Sequence, residues 1–310
     1  MSAQTSTVGL FEERSTLLDG SMGQELINRG AGHHDLLWAA GALLHQPEIV
    51  RQVHDDYIAA GADIITTNSY STIRSKFEPA GLMDRFEAMN RLAGRLAAEA
   101  RDAAERPVWV AGSLPPQHGS YRPDRVGEFN EIEALYREQA ELLAPYVDLF
   151  LCETMSTADE ARAAATAALA TGKPAWVSWT LEDRIRADGS ARLRSGERII
   201  GAVAALDGLP VAALLCNCSP PEVMGVALRE LGRCASLPIG AYANAFRPIP
   251  DHWDYAGDDS LPPVRSDVDP DRYAVFAADW LASGARIIGG CCEVGPDHIR
   301  KIRFILDDKC

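Results

Sequence analysis

Apolar residues come in short unbroken runs along this chain, and each run ends in small or polar residues. In order they are "STLLDGS" (15–21), "ADIITTNSY" (62–70), "PVWVAGSL" (107–114), "VDLFLCET" (147–154), "PAWVSWTL" (174–181), "VAALLCNCS" (211–219), "LPIGAYANA" (237–245) and "GARIIGGCC" (284–292). A strand with one wet face alternates apolar and polar residues, whereas a strand covered on both faces is apolar throughout. The runs therefore predict eight buried, parallel strands. Between them, apolar residues recur at three- and four-residue spacing over 47–61, 85–105, 131–146, 158–172, 221–233 and 271–284, which predicts helices. Pro47, Pro221 and Pro296 stand at helix starts, and Gly61, Gly172 and Gly284 just past helix ends.

Strand and helix alternating eight times predicts an α/β chain folded as a (β/α)8 barrel, one domain over residues 1–310. The competing arrangement is a doubly wound open sheet. No G-x-G-x-x-G follows the first predicted strand, and eight units are many for an open sheet of this length. The longest irregular stretch, Phe246 to Asp269, follows the seventh strand and is rich in Pro, Asp and aromatic residues. It is expected to be either a lid over the site or a surface excursion.

The formal charge of −14 comes without a basic cluster, which excludes nucleic acid and anionic membranes as expected partners. No run approaches the roughly 18 apolar residues of a membrane span, and the N-terminus lacks the basic and apolar regions of a signal peptide. The seven cysteines are odd in number, which suits a cytoplasmic protein with free thiols or metal ligands better than a disulfide framework.

Barrel enzymes carry their chemistry at the C-terminal ends of the strands. Those ends hold Asp19, Gly20, Ser21, Asn68, Ser113, Glu153, Thr180, Asn217, Cys218, Asn244, Cys291 and Cys292. In a closed barrel the sixth and eighth strands share one mouth, so Cys218 can meet Cys291 and Cys292 there. Gly289 and Gly290 would let the backbone turn both cysteines toward one ion. Three thiolates suit zinc, whose catalytic sites keep three protein ligands and an open position. The alternative is that Cys291 and Cys292 are two small buried residues. Cys216 shares side-chain parity with Cys218 and is expected inside the barrel, one layer down. His298, in the first turn of the last helix, reads as a packing residue. Trp38, Tyr70, Trp179 and Tyr242 are placed near the mouth, where each could simply pack.

The segments "LLDGSMGQEL" (17–26), "LLWAA" (36–40), "HQPEIVRQVHDDYIAAGADIITTNSY" (45–70), "DLFLCETM" (148–155), "NCSPPEVM" (217–224) and "GARIIGGCCEVGPDHI" (284–299) together resemble the zinc-dependent homocysteine S-methyltransferases. That group includes the S-methylmethionine and betaine enzymes and the homocysteine half of cobalamin-dependent methionine synthase. The resemblance spans nearly the whole chain. It implies that Cys218, Cys291 and Cys292 bind Zn2+, and that Asp19 and Glu153 hold the ammonium of homocysteine. It further implies that the backbone at Gly20 and Ser21 receives the carboxylate, with Asn217 among the substrate residues. The chain departs from the pattern in "DGS" for "DGG", "GSLPP" for "GSLGP" and "CCEVGP" for "CCGTTP". The last puts Glu293 beside the expected metal.

The implied partners are small molecules, homocysteine and a methyl donor, with a homo-oligomer possible. The chain closes soon after the eighth helix, so folate- and cobalamin-binding domains are expected to be absent in cis. That favours S-methylmethionine or S-adenosylmethionine as donor, with betaine, another onium compound or a corrinoid protein in trans as alternatives. A non-catalytic zinc- or thiol-binding regulator is the reading from a different class.

Overall fold

The computed structural model describes residues 15–31, 37–250, 253 and 262–308. Each apolar window carries a strand: β1 (Thr16–Leu17), β2 (Ile64–Thr66), β3 (Trp109–Leu114), β4 (Leu149–Met155), β5 (Ala175–Trp179), β6 (Ala213–Asn217), β7 (Ile239–Tyr242) and β8 (Ile287–Ile288). All pairs are parallel, in the order β1-β8-β7-β6-β5-β4-β3-β2. The ring closes between β1 and β2 through a bridge at Leu18 and Ile64. This is the expected (β/α)8 barrel. β3 and β4 run to the ends of their windows, whereas in the other six strands the last polar residues leave the ladder and help to form the mouth.

The expected helices are α3 (Pro47–Ala59), α5 (Met83–Ala103), α6 (Phe129–Leu143), α7 (Ala158–Ala170), α9 (Pro221–Cys234), α10 (Pro270–Ala282) and α11 (Pro296–Asp307). Pro47, Pro221 and Pro296 each open their helix, and Gly61, Gly172 and Gly284 follow helix ends at φ values of 105°, 80° and 100°. Four short helices were not legible: α1 (Met22–Asn28), α2 (Gly41–His45), α4 (Arg74–Phe77) and α8 (Ile199–Ala204). None is long enough to show a repeating apolar stripe. Among the described residues no helix is long and apolar enough to cross a membrane.

Side chains sort into two layers. Leu18, Ile64, Leu149, Leu151, Trp176, Leu215 and Ile287 fill the barrel interior. A larger shell between strands and helices takes the outward residues. Cys216 lies in that outer shell, not inside the barrel as its parity with Cys218 suggested. Ala213 and Leu215 point inward, so Cys216 points out, and Cys218 reaches the mouth only because its φ of 48° breaks the alternation. Trp179 likewise packs outside, away from the mouth.

Before α8 the chain makes an antiparallel excursion, with bridges Leu181–Leu193 and Arg192–Arg198. Its tip is "ADGS", where Asp188 Oδ1 accepts the Ser190 N–H (2.9 Å) and Gly189 takes a φ of 79°. The excursion brings Asp183 and Arg194 to the mouth.

The β1–β2 seam has little ladder of its own, and Asp63 reinforces it. Its N–H donates to Leu17 O (2.7 Å), and its Oδ2 accepts the Leu17 N–H (2.9 Å). Arg303 on α11 donates to both carboxylate oxygens at 3.2 Å. Asp63→Ala leaves a buried N–H and a largely buried guanidinium without this acceptor. It is expected to lower unfolding free energy by about 3 kcal/mol. Denaturant titration beside exposed Asp84→Ala checks this, and equal midpoints would remove Asp63 from the seam.

Candidate active site at the barrel mouth

The ends of β6 and β8 bring the three cysteines together. Cys218 is fixed by its N–H donating to Tyr242 O (3.1 Å), and the Cys291 N–H donates to Ala243 O (2.9 Å). All three Sγ atoms lie within 4.8 Å of one another, with Cys218 and Cys292 3.6 Å apart. The glycines before the pair serve a different purpose from the expected turn. A Cβ on Gly289 would stand 2.6 Å from Leu18 Cβ, and one on Gly290 2.1 Å from Val294 Cγ1. Both positions are glycine because β8 is wedged against β1 and the following loop. Burial opposes charge at Cys218, but hydrogen bonds from Cys291, Cys292 and Tyr121 hold its thiol well below the ordinary range. Cys291 and Cys292 are raised, chiefly by their contact with Cys218.

Two carboxylates face the same space. Asp19 ends β1, its oxygens accepting the Thr66 N–H (2.7 Å) and hydroxyl (2.5 Å). Glu153 accepts the Ser113 hydroxyl and, at 3.4 Å, the Tyr242 hydroxyl. Burial pushes Asp19 up to about 7 and Glu153 to about 8, the latter with help from Cys218 and Asp19. A cation placed beside either carboxyl would favour its charged form against this burial.

Glu153 is aimed by a bulge. The register between β4 and β5 shifts after Cys152, and Thr154 takes a φ of 64°. The Thr154 N–H donates to Asn217 Oδ1 (2.9 Å), while Asn217 Nδ2 donates to Thr154 Oγ1 (2.8 Å) and Ser178 donates to the same Oδ1 (2.8 Å). Asn217 does not line the cavity. Asn217 was expected among the substrate residues; its side-chain amide is engaged in holding the bulge.

Gly20 and Ser21 turn β1 into α1. A Cβ on Gly20 would lie 2.0 Å from Val294 O, so only glycine fits. Ser21 caps α1 by accepting the Gln24 N–H (3.3 Å), and its own N–H already donates to Val294 O (2.9 Å). Of the two expected backbone donors, only the Gly20 N–H has no hydrogen bond among the described residues. Glu293, at φ 65°, does not line the cavity, and burial and Glu25 raise its carboxyl. His298 packs as expected: Nδ1 accepts the Gly295 N–H (3.3 Å) and Nε2 donates to Val268 O (3.3 Å).

These groups enclose a cavity of about 320 Å³ whose aromatic lining is Trp38, Tyr70, Tyr121, Tyr242, Phe246 and Trp253. Asn68, another strand end, secures the Trp38 segment by donating to Ala39 O (3.1 Å). Tyr121 was not anticipated. It sits in the irregular segment after β3, with its hydroxyl 2.8 Å from Cys218 Sγ, and no spacing links it to a cysteine 97 residues away. Part of the expected lid, 251–252 and 254–261, including His252, Asp254 and Tyr255, lies outside the described residues. Phe246, Ile249 and Trp253 are described, and they pack with Tyr121 over the three cysteines. Cys152 and Cys216 are buried, Cys234 is half-buried, and the described cysteines form no disulfide; Cys310 lies outside the described residues.

Known proteins resemble this chain along nearly its whole length. The family profile described as homocysteine S-methyltransferase matches residues 16–306. A homocysteine S-methyltransferase of Escherichia coli is 34% identical, over 93% of this chain and 94% of its own. One from Bacillus subtilis is 30% identical over 92% of each. A selenocysteine methyltransferase of Astragalus bisulcatus is 31% identical over 94% and 93%. The crystal structure of the E. coli homocysteine methyltransferase MmuM in its metallated form superposes with a TM-score of 0.79 at 31% identity, covering 96% of this chain and 99% of that one.

Proposed function

This chain belongs to the homocysteine S-methyltransferase family, and from that premise we propose that one (β/α)8 domain binds zinc through Cys218, Cys291 and Cys292 and methylates homocysteine from S-methylmethionine. The observation carrying this reading is the cysteine trio in the wall of a cavity that also presents two buried carboxylates. Family membership also sets aside the non-catalytic regulator.

The donor set fits zinc. A tetrahedron with Zn–S bonds of about 2.3 Å has edges of about 3.8 Å, close to the 3.6 Å between Cys218 and Cys292. Sulfur ligands discriminate against magnesium, calcium and manganese. When bound, zinc would supply the Lewis acidity that keeps the homocysteine sulfur deprotonated at neutral pH, where a free thiol of pKa about 8.5 is mostly protonated.

The protein's own residues do the rest. The substrate ammonium favours the charged forms of Asp19 and Glu153, which offsets the burial that raises both carboxyls. The Gly20 N–H receives the carboxylate. Both contacts fix the sulfur beside the cysteines and leave its far side open to the aromatic wall. A sulfonium donor is cationic and rests against ring faces. The homocysteine sulfur attacks the methyl carbon, the carbon–sulfonium bond breaks, and its electron pair stays on the leaving sulfur. Homocysteine has already released its proton to solvent. With S-methylmethionine both products are methionine, and no general base is needed at the transfer step.

A panel of S-methylmethionine, S-adenosylmethionine, betaine and a methyl-corrinoid protein, each with homocysteine and zinc-loaded enzyme, tests the donor. Methionine is expected from S-methylmethionine at a kcat/KM at least about 10-fold above any other donor. Preference for betaine or the corrinoid would overturn that assignment. Trimming 251–259 in the same assay is expected to raise KM for donor more than for homocysteine.

A further inference from the structure

We propose that Tyr121 is a positioning residue for Cys218, donating its hydroxyl hydrogen to Sγ from a ring that Asp183 and Arg194 clamp in place. The proposal rests on the zinc site inferred above and adds a residue outside the three ligands.

The contact itself is short, 2.8 Å from Tyr121 oxygen to Cys218 sulfur. Once Cys218 serves as a metal ligand its sulfur carries no proton, so the phenol must be the donor. A hydrogen bond to a ligand sulfur fixes its lone-pair direction and moderates its electron donation.

The surroundings serve that contact. Tyr121 holds a φ of 62°, a left-handed conformation that a bulky side chain adopts only when its surroundings enforce it. Arg194 lies over the ring, its guanidinium carbon 5.1 Å from the centroid. Trp253 meets the ring edgewise at 5.7 Å. Arg194 pairs with Asp183 at 2.6 Å, both side chains being largely buried, and the Arg194 N–H donates to Thr180 O (2.9 Å). The second Asp183 oxygen accepts the Ile249 N–H (2.7 Å). Segments following β3, β5 and β7 are thereby tied together behind one cysteine.

A buried ion pair is weak evidence for stability, because desolvation offsets its attraction. Arg194 Nε also makes no hydrogen bond among the described residues. The arrangement is better explained by the placement of the ring, and hence of the hydroxyl.

Tyr121→Phe keeps the ring and removes only the hydroxyl. Zinc affinity by chelator competition is expected to weaken about 10- to 100-fold, the range for such outer partners. In the cobalt-substituted protein, the sulfur-to-cobalt charge-transfer band is expected to shift, which altered packing alone would not do. Arg194→Met leaves the hydroxyl but releases the ring, and should weaken zinc in the same direction by a smaller factor. It also keeps the proposal testable if the first variant fails to fold. Wild-type protein that binds no zinc would defeat the metal assignment itself. Wild type that binds zinc, with Tyr121→Phe unchanged in affinity and cobalt spectrum, would defeat the role of Tyr121 alone. If Tyr121→Phe does not fold, unchanged zinc affinity in Arg194→Met defeats it equally.

Discussion

Changing Cys291 to alanine is expected to remove the metal and to lower methyl transfer by a factor on the order of 10³. The cluster within 4.8 Å becomes a pair, and two thiolates do not retain zinc against a chelator as three do. The rate loss has two parts. About 30-fold follows from protonation, since a free thiol of pKa about 8.5 is only a few per cent ionised at pH 7. The remainder, a further factor of about 30, is lost positioning of the sulfur. Cys218→Ala and Cys292→Ala should match it. Cys216→Ala serves as the control, because Cys216 is buried in the outer shell and touches neither cavity nor cluster. Metal analysis and methionine assays on the four variants decide the matter: full zinc and full turnover in any one of the first three would place the site elsewhere.

Glu153→Gln should separate binding from stability. Its carboxyl is raised from 4.5 to about 8, first by burial and then by the charges of Cys218 and Asp19. The unfolded chain binds that proton less tightly than the folded one. As pH rises from about 4.5 to 8 the folded state therefore keeps a proton the unfolded state has released, and stability falls. Glutamine carries no charge to desolvate. The metal-free variant is thus expected to be more stable than wild type at pH 8, by roughly 4 kcal/mol, and to differ by under about 1 kcal/mol at pH 5. Substrate affinity moves the other way. Losing the partner of a buried ammonium should raise KM for homocysteine about 100-fold while zinc stays bound. Thermal unfolding at both pH values with homocysteine titration checks both arms. A variant destabilised at pH 8, or one with unchanged KM, would contradict this role.

Much of this was legible in one dimension. The eight continuous apolar runs dictate strands covered on both faces, and a parallel sheet of eight with intervening helices closes into a barrel. The mouth follows, because in such a barrel every strand end points to one rim. Asp19, Glu153, Cys218, Cys291 and Cys292 each stand where an apolar run turns polar, and the fold brings all five to one cavity.

The exceptions share a cause. Cys216 was misplaced because alternation holds only while the backbone stays extended, and the left-handed turn at Cys218 resets the parity. Asn217 stands at a strand end like the others, yet it serves the β4 bulge, and a bulge is a matter of register between two strands. Ser21 stands at the turn where its backbone was expected to receive the carboxylate, but its N–H is already engaged by Val294 O, 273 residues away. Tyr121 and the Asp183–Arg194 pair lie in irregular segments where no periodicity constrains direction. The chain's own pattern of apolar runs and polar ends determined the barrel, its mouth and the chemical types gathered there. Only the tertiary structure decided which N–H groups are already engaged, which side chains touch the cavity and what stands behind each cysteine, because those depend on contacts between segments that periodicity does not encode.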